Sequence, residues 1–392
     1  MTEFEGLPRA IPEDMGMSTA RLERIKPVMQ EWVDYGKIPG ALTMIAREGR
    51  LVHFEKVGHQ DIASEKPIEF DTIFRIYSMT KPITSVAVMM LYEEGLFQLN
   101  SPVSEFIPEF KDMKSYANHG DAIVDTEREM TIKHLLTHTA GLIYGGEWDH
   151  PINQRYYEAD FYGGDLKHMA KELGDIPLLH QPGDAWNYGM STDVLGYLVE
   201  VVSGMPFAEF LKTRIFEPLG MVDTDFSVPD NKASRYATLY EPTEDGGIKV
   251  LEDAPVSSGP LSFHHSGGAG LLSTAADYLR FCQMMLNDGE LDGVRLLGRK
   301  TVELITINHI SNNWQPLERT GCGFGLGFAV VTDLADTHTL GSVGTYSWGG
   351  LASTTFWIDP MEELIAILMT QLIGDSPFHA QFRVLTYQSI ID

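Results

Sequence analysis

Hydrophobic positions along the chain fall into three zones with different periods. Near the N-terminus Leu22, Ile25, Met29, Trp32 and Val33 recur at helical spacing behind Ser18, a good N-cap, which predicts an amphipathic helix despite Pro27. Two β-prone runs then flank Glu48-Gly49, at 41–47 and 51–57, and predict a hairpin. Strand-like runs return only near the C-terminus, at 328–332, 354–358 and 364–370. The last two are separated by the turn Asp359-Pro360-Met361-Glu362-Glu363, and a closing helix is expected over 377–391. Between these ends, residues of roughly 80–250 pattern as helices and loops, including 83–94 before Gly95 and 192–202 between Ser191 and Gly204. Strands, then helices, then strands predict an α+β fold: an antiparallel sheet flanked by helices, built from both chain ends, with a mainly helical domain inserted. The expected division is 1–79 with 255–392 in one domain and 80–254 in the other, with a cleft between them.

Composition narrows the function. Across 392 residues, 43% hydrophobic, Lys and Arg number 29 against 55 Asp and Glu, a net charge of −26. Such a surface repels phosphate backbones and anionic headgroups, so nucleic acid and membrane are poor partners. The start MTEFEGLPRAIPEDMG is acidic and proline-bearing where a secretory signal has a basic start and an apolar run, so a cytoplasmic location is expected. Cys282 and Cys322 belong to no ligand-spaced set and are expected to be buried thiols. No apolar stretch has the length of a membrane span.

The first candidate chemistry is Ser78-Met79-Thr80-Lys81, the one Ser-x-x-Lys in the chain. Roughly one such tetrad is expected by chance at this composition, and a capping serine followed by a surface lysine would give the same letters. Its setting adds weight. Ile83, Val86, Ala87, Met90 and Leu91 follow at helical period with Val88 and Met89 on the other side, the pattern of a buried helix. Pro82 belongs near a helix start, and residues three apart there project from one side, so Ser78 and Lys81 can touch. A serine hydroxyl is a weak nucleophile until a neighbouring base takes its proton, and a partly desolvated lysine can do so.

Reading outward from the tetrad, residues 71–82 (DTIFRIYSMTKP) and 131–142 (TIKHLLTHTAGL) resemble the nucleophile segment and second signature of class C β-lactamases, DD-peptidases and especially the β-lactamase-like carboxylesterases called family VIII. The resemblance spans nearly the whole chain and implies a β-lactamase/transpeptidase-like fold. Tyr188-Gly189-Met190 stands where that family has Tyr-x-Asn, so the resemblance makes Tyr188 the catalytic tyrosine. Met190 replaces the asparagine that helps hold a β-lactam side-chain amide. Residues 267–277 and 323–328 are similar to the family's return into the sheet. Trp348-Gly349-Gly350 replaces the lactamase Lys-Thr-Gly box, as in the esterase branch, so the lysine that attracts a β-lactam carboxylate is missing. An aromatic face in place of a cation should favour neutral, apolar acyl or alcohol groups over anionic ones.

The function this implies is a serine carboxylesterase acting on small to medium acyl esters through an acyl-enzyme on Ser78. Lys81 and Tyr188 would form one proton-handling unit, and the backbone N–H groups of Ser78 and Leu351 would hold the oxyanion. Trp348, Gly349, Gly350, Tyr144, Trp186, Phe263 and Phe324 are expected to border the substrate, although core aromatics would read the same way. Acyl transfer on the same scaffold is the nearest alternative, followed by β-lactamase or D-amino-acid peptidase activity, and last a noncatalytic binding protein. His134 and His138 have metal-ligand spacing, but no third ligand is identifiable nearby and a hydrogen-bonding role is favoured. Thr345-Tyr346-Ser347-Trp348-Gly349 lacks the first glycine of an α/β-hydrolase elbow. No phosphate loop or dinucleotide fingerprint occurs, so no cofactor is implied.

Overall fold

The computed structural model describes residues 6–117, 122–145, 150–251, 265–311, 314–374 and 377–392. Its centre is an eight-stranded antiparallel sheet. The strands are β1 (Gly40–Arg47), β2 (Arg50–Asp61), β3 (Lys66–Pro67), β4 (Cys322–Phe324), β5 (Ala329–Val331), β6 (Tyr346–Gly349), β7 (Thr355–Asp359) and β8 (Leu364–Met369). They lie in the order β4-β5-β6-β7-β8-β1-β2-β3. The two chain ends meet in the middle, where Leu42 of β1 faces Met369 of β8.

The first hairpin follows from its turn. Glu48 (φ 51°) and Gly49 (φ 71°) both take left-handed backbone, the geometry of a two-residue turn that matches strand twist, and Arg47 therefore faces Arg50. β2 runs four residues beyond the predicted 57, because its far end pairs with β3. β6 was not predicted as a strand, since a short run bounded by glycines carries little period-two signal. Inside the sheet it alternates, with Tyr346 and Trp348 buried and Ser347 and Gly349 half-buried.

The principal helices are α1 (Ile25–Asp34), α2 (Thr80–Glu93), α3 (Ile132–Leu136), α4 (Ser191–Ser203), α5 (Ala275–Leu286) and α6 (Phe378–Tyr387). The single helix expected from Ser18 onward is in fact two, Thr19–Leu22 and then α1. Pro27 explains the break: it lacks an N–H and its ring crowds the carbonyl four residues back, so it is tolerated only in the first turn of a new helix. Both faces of the sheet are covered. Leu42 and Met44 of β1, with Ile365 and Ile367 of β8, join the main core with α2 and α5, while Ala41, Ile45, Leu364 and Ala366 point the other way onto α1 and α6. Each aliphatic side chain fully buried this way contributes about 1.5–3 kcal/mol. Every residue of α2 from Thr80 to Leu91 is buried, as its all-round apolar pattern predicted. Cys282 lies in the core, whereas Cys322 is only half-buried at the sheet edge, and the two are unpaired. Among the described residues no single helix is long and apolar enough to cross a membrane.

Candidate active site

The turn that carries Ser78 is held by its backbone and by the strands and helix around it. Tyr77 (φ 42°) is a left-handed residue without glycine's freedom, and it opens a tight turn, Tyr77–Met79, that leads directly into α2. Such backbone persists only where the surroundings over-determine it. Here Phe74–Arg75 pairs with Leu272–Ser273, the Ile76 N–H donates to the Leu271 carbonyl (3.2 Å), and the Tyr278 hydroxyl donates to the Met79 carbonyl (2.9 Å).

Ser78 and Lys81 then fall on one side of the first turn, with Lys81 Nζ 3.1 Å from Ser78 Oγ. The lysine is not a surface residue: 1% of it is exposed, and its ammonium also donates to Tyr144 OH (2.9 Å) and the Gly268 carbonyl (2.8 Å). All three donors of the head group are thus directed. Tyr188, just ahead of α4, places its hydroxyl 2.7 Å from Ser78 Oγ, and Lys81 Nζ lies 4.6 Å from the centre of the Tyr188 ring. The side chains of residues 78, 81 and 188 thus meet.

A second layer, absent from the sequence reading, supports them. Tyr144 OH donates to Asp193 Oδ2 (3.3 Å), and Asp193 Oδ1 accepts from Ser266 Oγ and from the Gly268 N–H (3.1 Å). Burial, and after it the Asp193 charge, hold the Tyr144 phenol well above its ordinary pKa. It therefore stays protonated, accepting from Lys81 and donating to Asp193 at once. A Cβ on Gly268 would come within 2.4 Å of Asp193 Oδ2 and 2.8 Å of Tyr144 OH, so the position needs glycine. Asp193 went unread because an acidic residue in the first turn of an apolar helix is also what the helix dipole favours.

Ser78 opens on a cavity of about 370 Å³ whose lining includes Tyr188, Arg319, Trp348, Gly350 and Leu351. Gly350 explains the close approach of the β6 end, since a Cβ there would sit 2.4 Å from the Ile76 carbonyl and 2.3 Å from Thr354 Oγ1. Gly349 is less constrained, its nearest contact being the Thr354 carbonyl at 3.0 Å. Trp348, 3% exposed, lines the cavity and packs on Tyr188 (5.4 Å between ring centres) and Phe324 (5.3 Å).

Other expected pocket residues are placed differently. Trp186 stacks on Tyr188 and packs with Phe324 behind the wall, and neither lines the cavity. Tyr144 belongs to the lysine network instead. Phe263 lies outside the described residues. Met190 is buried, so this position offers no polar group to a substrate amide. His134 serves a capping box with Thr131 at the start of α3, while His138 packs against Tyr188 and Phe324, and burial drives its pKa well down. Arg319, Leu317 and Thr354, on connecting segments that carry no periodic signal, also line the cavity, as does His379 of α6, whose helix was expected but whose place at the cavity was not. Two further hollows, around Arg9 and His53 and around Lys212 and Asp223, contain no partner of Ser78.

An α+β fold with an antiparallel sheet and a buried Ser-x-x-Lys pair met by a tyrosine defines a serine hydrolase of the β-lactamase-like kind. Residues 25–385 match the Beta-lactamase family, and the chain belongs to it. An uncharacterized protein of Mycobacterium tuberculosis is 36% identical over 359 residues, 88% of this chain and 89% of that one. Esterase EstB of Burkholderia gladioli is 30% identical over 386 residues, 93% of each chain. Among solved structures, EstCE1, described as a hydrolase with promiscuous acyltransferase activity, superposes with a TM-score of 0.82 at 27% identity, covering 94% of this chain and 99% of that one. The family thus includes esterase and acyltransferase relatives of this chain.

Proposed function

We propose that this protein is a carboxylesterase that cleaves small to medium acyl esters through an acyl-enzyme on Ser78. The observation that carries the reading is the double contact on one hydroxyl, with Lys81 Nζ at 3.1 Å and Tyr188 OH at 2.7 Å from Ser78 Oγ, on the wall of an open cavity. In this reading residues 1–79 with 255–392 form one domain, 80–254 the other, and the cavity lies between them.

The Lys81–Tyr188 pair takes the Ser78 proton as Oγ attacks the ester carbonyl. The oxyanion that forms is held by the backbone N–H groups of Ser78 and Leu351, two residues that share the cavity wall. Tyr188 returns the proton to the departing alkoxide, leaving the acyl group on Ser78. Water, deprotonated by the same pair, then releases the acid and restores the serine. Acyl transfer to an alcohol differs only in what enters at this last step, and the activity named for EstCE1 favours it as the second reading. Lactam hydrolysis is disfavoured by the buried Met190 and by Trp348 in place of lysine.

The test is a rate comparison of p-nitrophenyl acetate and butyrate with nitrocefin, run with intact-mass analysis under excess ester. Faster ester hydrolysis and an acyl adduct mapped to Ser78 are expected. Nitrocefin turning over faster than the short esters would overturn the assignment.

A further inference from the structure

The cavity contains a cation that this hydrolytic scheme does not use. Arg319 shares the lining with Ser78 and Tyr188, and its guanidinium carbon stands 6.0 Å from the centre of the Trp348 ring. Among the described residues it has no ion pair and no side-chain hydrogen bond, in a chain where acids outnumber bases by 55 to 29. The groups that act on it electrostatically are Cys322, Arg383 and Tyr188, none of them a carboxylate. Although much of the residue is open to solvent, burial of the guanidinium is the largest influence on it and lowers its pKa. Arg383 adds a second positive charge, and its own Nε is spent on the Leu340 carbonyl (2.7 Å).

The backbone leading into Arg319 is unusual. Leu317 (φ 51°) and Glu318 (φ 58°) are consecutive left-handed residues, neither of them glycine, immediately before Arg319. Strain of this kind gathers where a side chain must be aimed. Glu318, next in sequence, makes no ion pair with it among the described residues.

We propose that Arg319 anchors a carboxylate carried by the ester substrate, so that esters bearing an anionic group some bonds away from the scissile carbonyl are preferred to their neutral counterparts. The proposal rests on the esterase reading and names its substrate class. A planar guanidinium offers two parallel N–H donors that match a carboxylate, and the indole face behind it restricts water on one side. The cation lost where Trp348 stands is thus supplied from a different loop, which revises the expectation of a purely neutral pocket.

Two matched pairs test it. 4-Acetoxybenzoate against its methyl ester places the charge on the alcohol half, and mono-4-nitrophenyl adipate against its methyl ester places it on the acyl half. The readout is the ratio of kcat/KM for the anionic over the neutral member. Arg319→Gln, or Arg319→Met should the first variant not fold, is expected to lower that ratio by about tenfold in at least one pair. A fall of less than fivefold in both pairs overturns the proposal. The underlying reading is judged separately, by whether hydrolysis of the neutral esters is lost in Ser78→Ala.

Discussion

At the scale of single residues, the site is an arrangement of proton positions. Lys81 directs its three donors at Ser78, Tyr144 and Gly268, and the last two are themselves held by Asp193. Removing the Asp193 carboxylate leaves buried donors without an acceptor, which typically costs about 1–3 kcal/mol for each group stranded. Asp193→Ala is therefore expected to lower kcat on the order of 10²-fold and to lower the melting temperature. Tyr144→Phe combined with Asp193→Ala should cost clearly less than the sum of the single changes, since both act through one network. Strict additivity in kcat would show that Asp193 acts independently of Tyr144. The contact of Ser78 with Lys81 was legible from their spacing and the buried helix behind them, whereas Tyr188 was marked only by resemblance to a family motif. Asp193 and Arg319 were not legible, since a lone acid or base becomes meaningful only through its neighbours in space.

Among the elements, legibility followed periodicity. α2 and α4, and strands β1, β7 and β8, repeat apolar residues over enough turns or pleats to be read, and they lie within a few residues of expectation. β6 has four residues ending in glycine, and its place in the sheet is set by β5 and β7 on either side, information the local sequence does not contain. The glycines at and just beyond its end nevertheless differ in a measurable way. Gly350→Ala would press a Cβ to 2.4 Å from the Ile76 carbonyl and shift the nucleophile turn, whereas Gly349→Ala meets only one carbonyl at 3.0 Å. Ester hydrolysis should fall at least tenfold further in Gly350→Ala than in Gly349→Ala, with circular dichroism confirming that both fold. Equal rates would mean that the β6 end does not govern the geometry at Ser78.

For the whole molecule, β1 and β8 join the two chain ends at the middle of the sheet. His53, on β2, is buried against Thr43 of β1 (2.8 Å), and burial drives its pKa from 6.5 down to about 4. The folded state keeps this imidazole neutral while the unfolded chain protonates it near 6.5, so its contribution is intact above that pH and is lost as pH falls toward 4. The loss is on the order of 3 kcal/mol. Urea midpoints should fall across this window, and less steeply in His53→Gln. The measurement belongs in moderate salt, because relief of the −26 net charge acts in the opposite direction. An unchanged slope in the variant would place the acid-sensitive group elsewhere. A separate packing, of α4 on α2, brings the phenol of Tyr188 to the hydroxyl and amine that Ser78 and Lys81 present from one turn. The most direct measurement is p-nitrophenyl butyrate hydrolysis by Ser78→Ala, alongside its thermal melt. A native-like melt with activity reduced by several orders of magnitude is expected, and a folded variant that hydrolyses the ester at the parent rate would contradict the assignment of Ser78 as nucleophile.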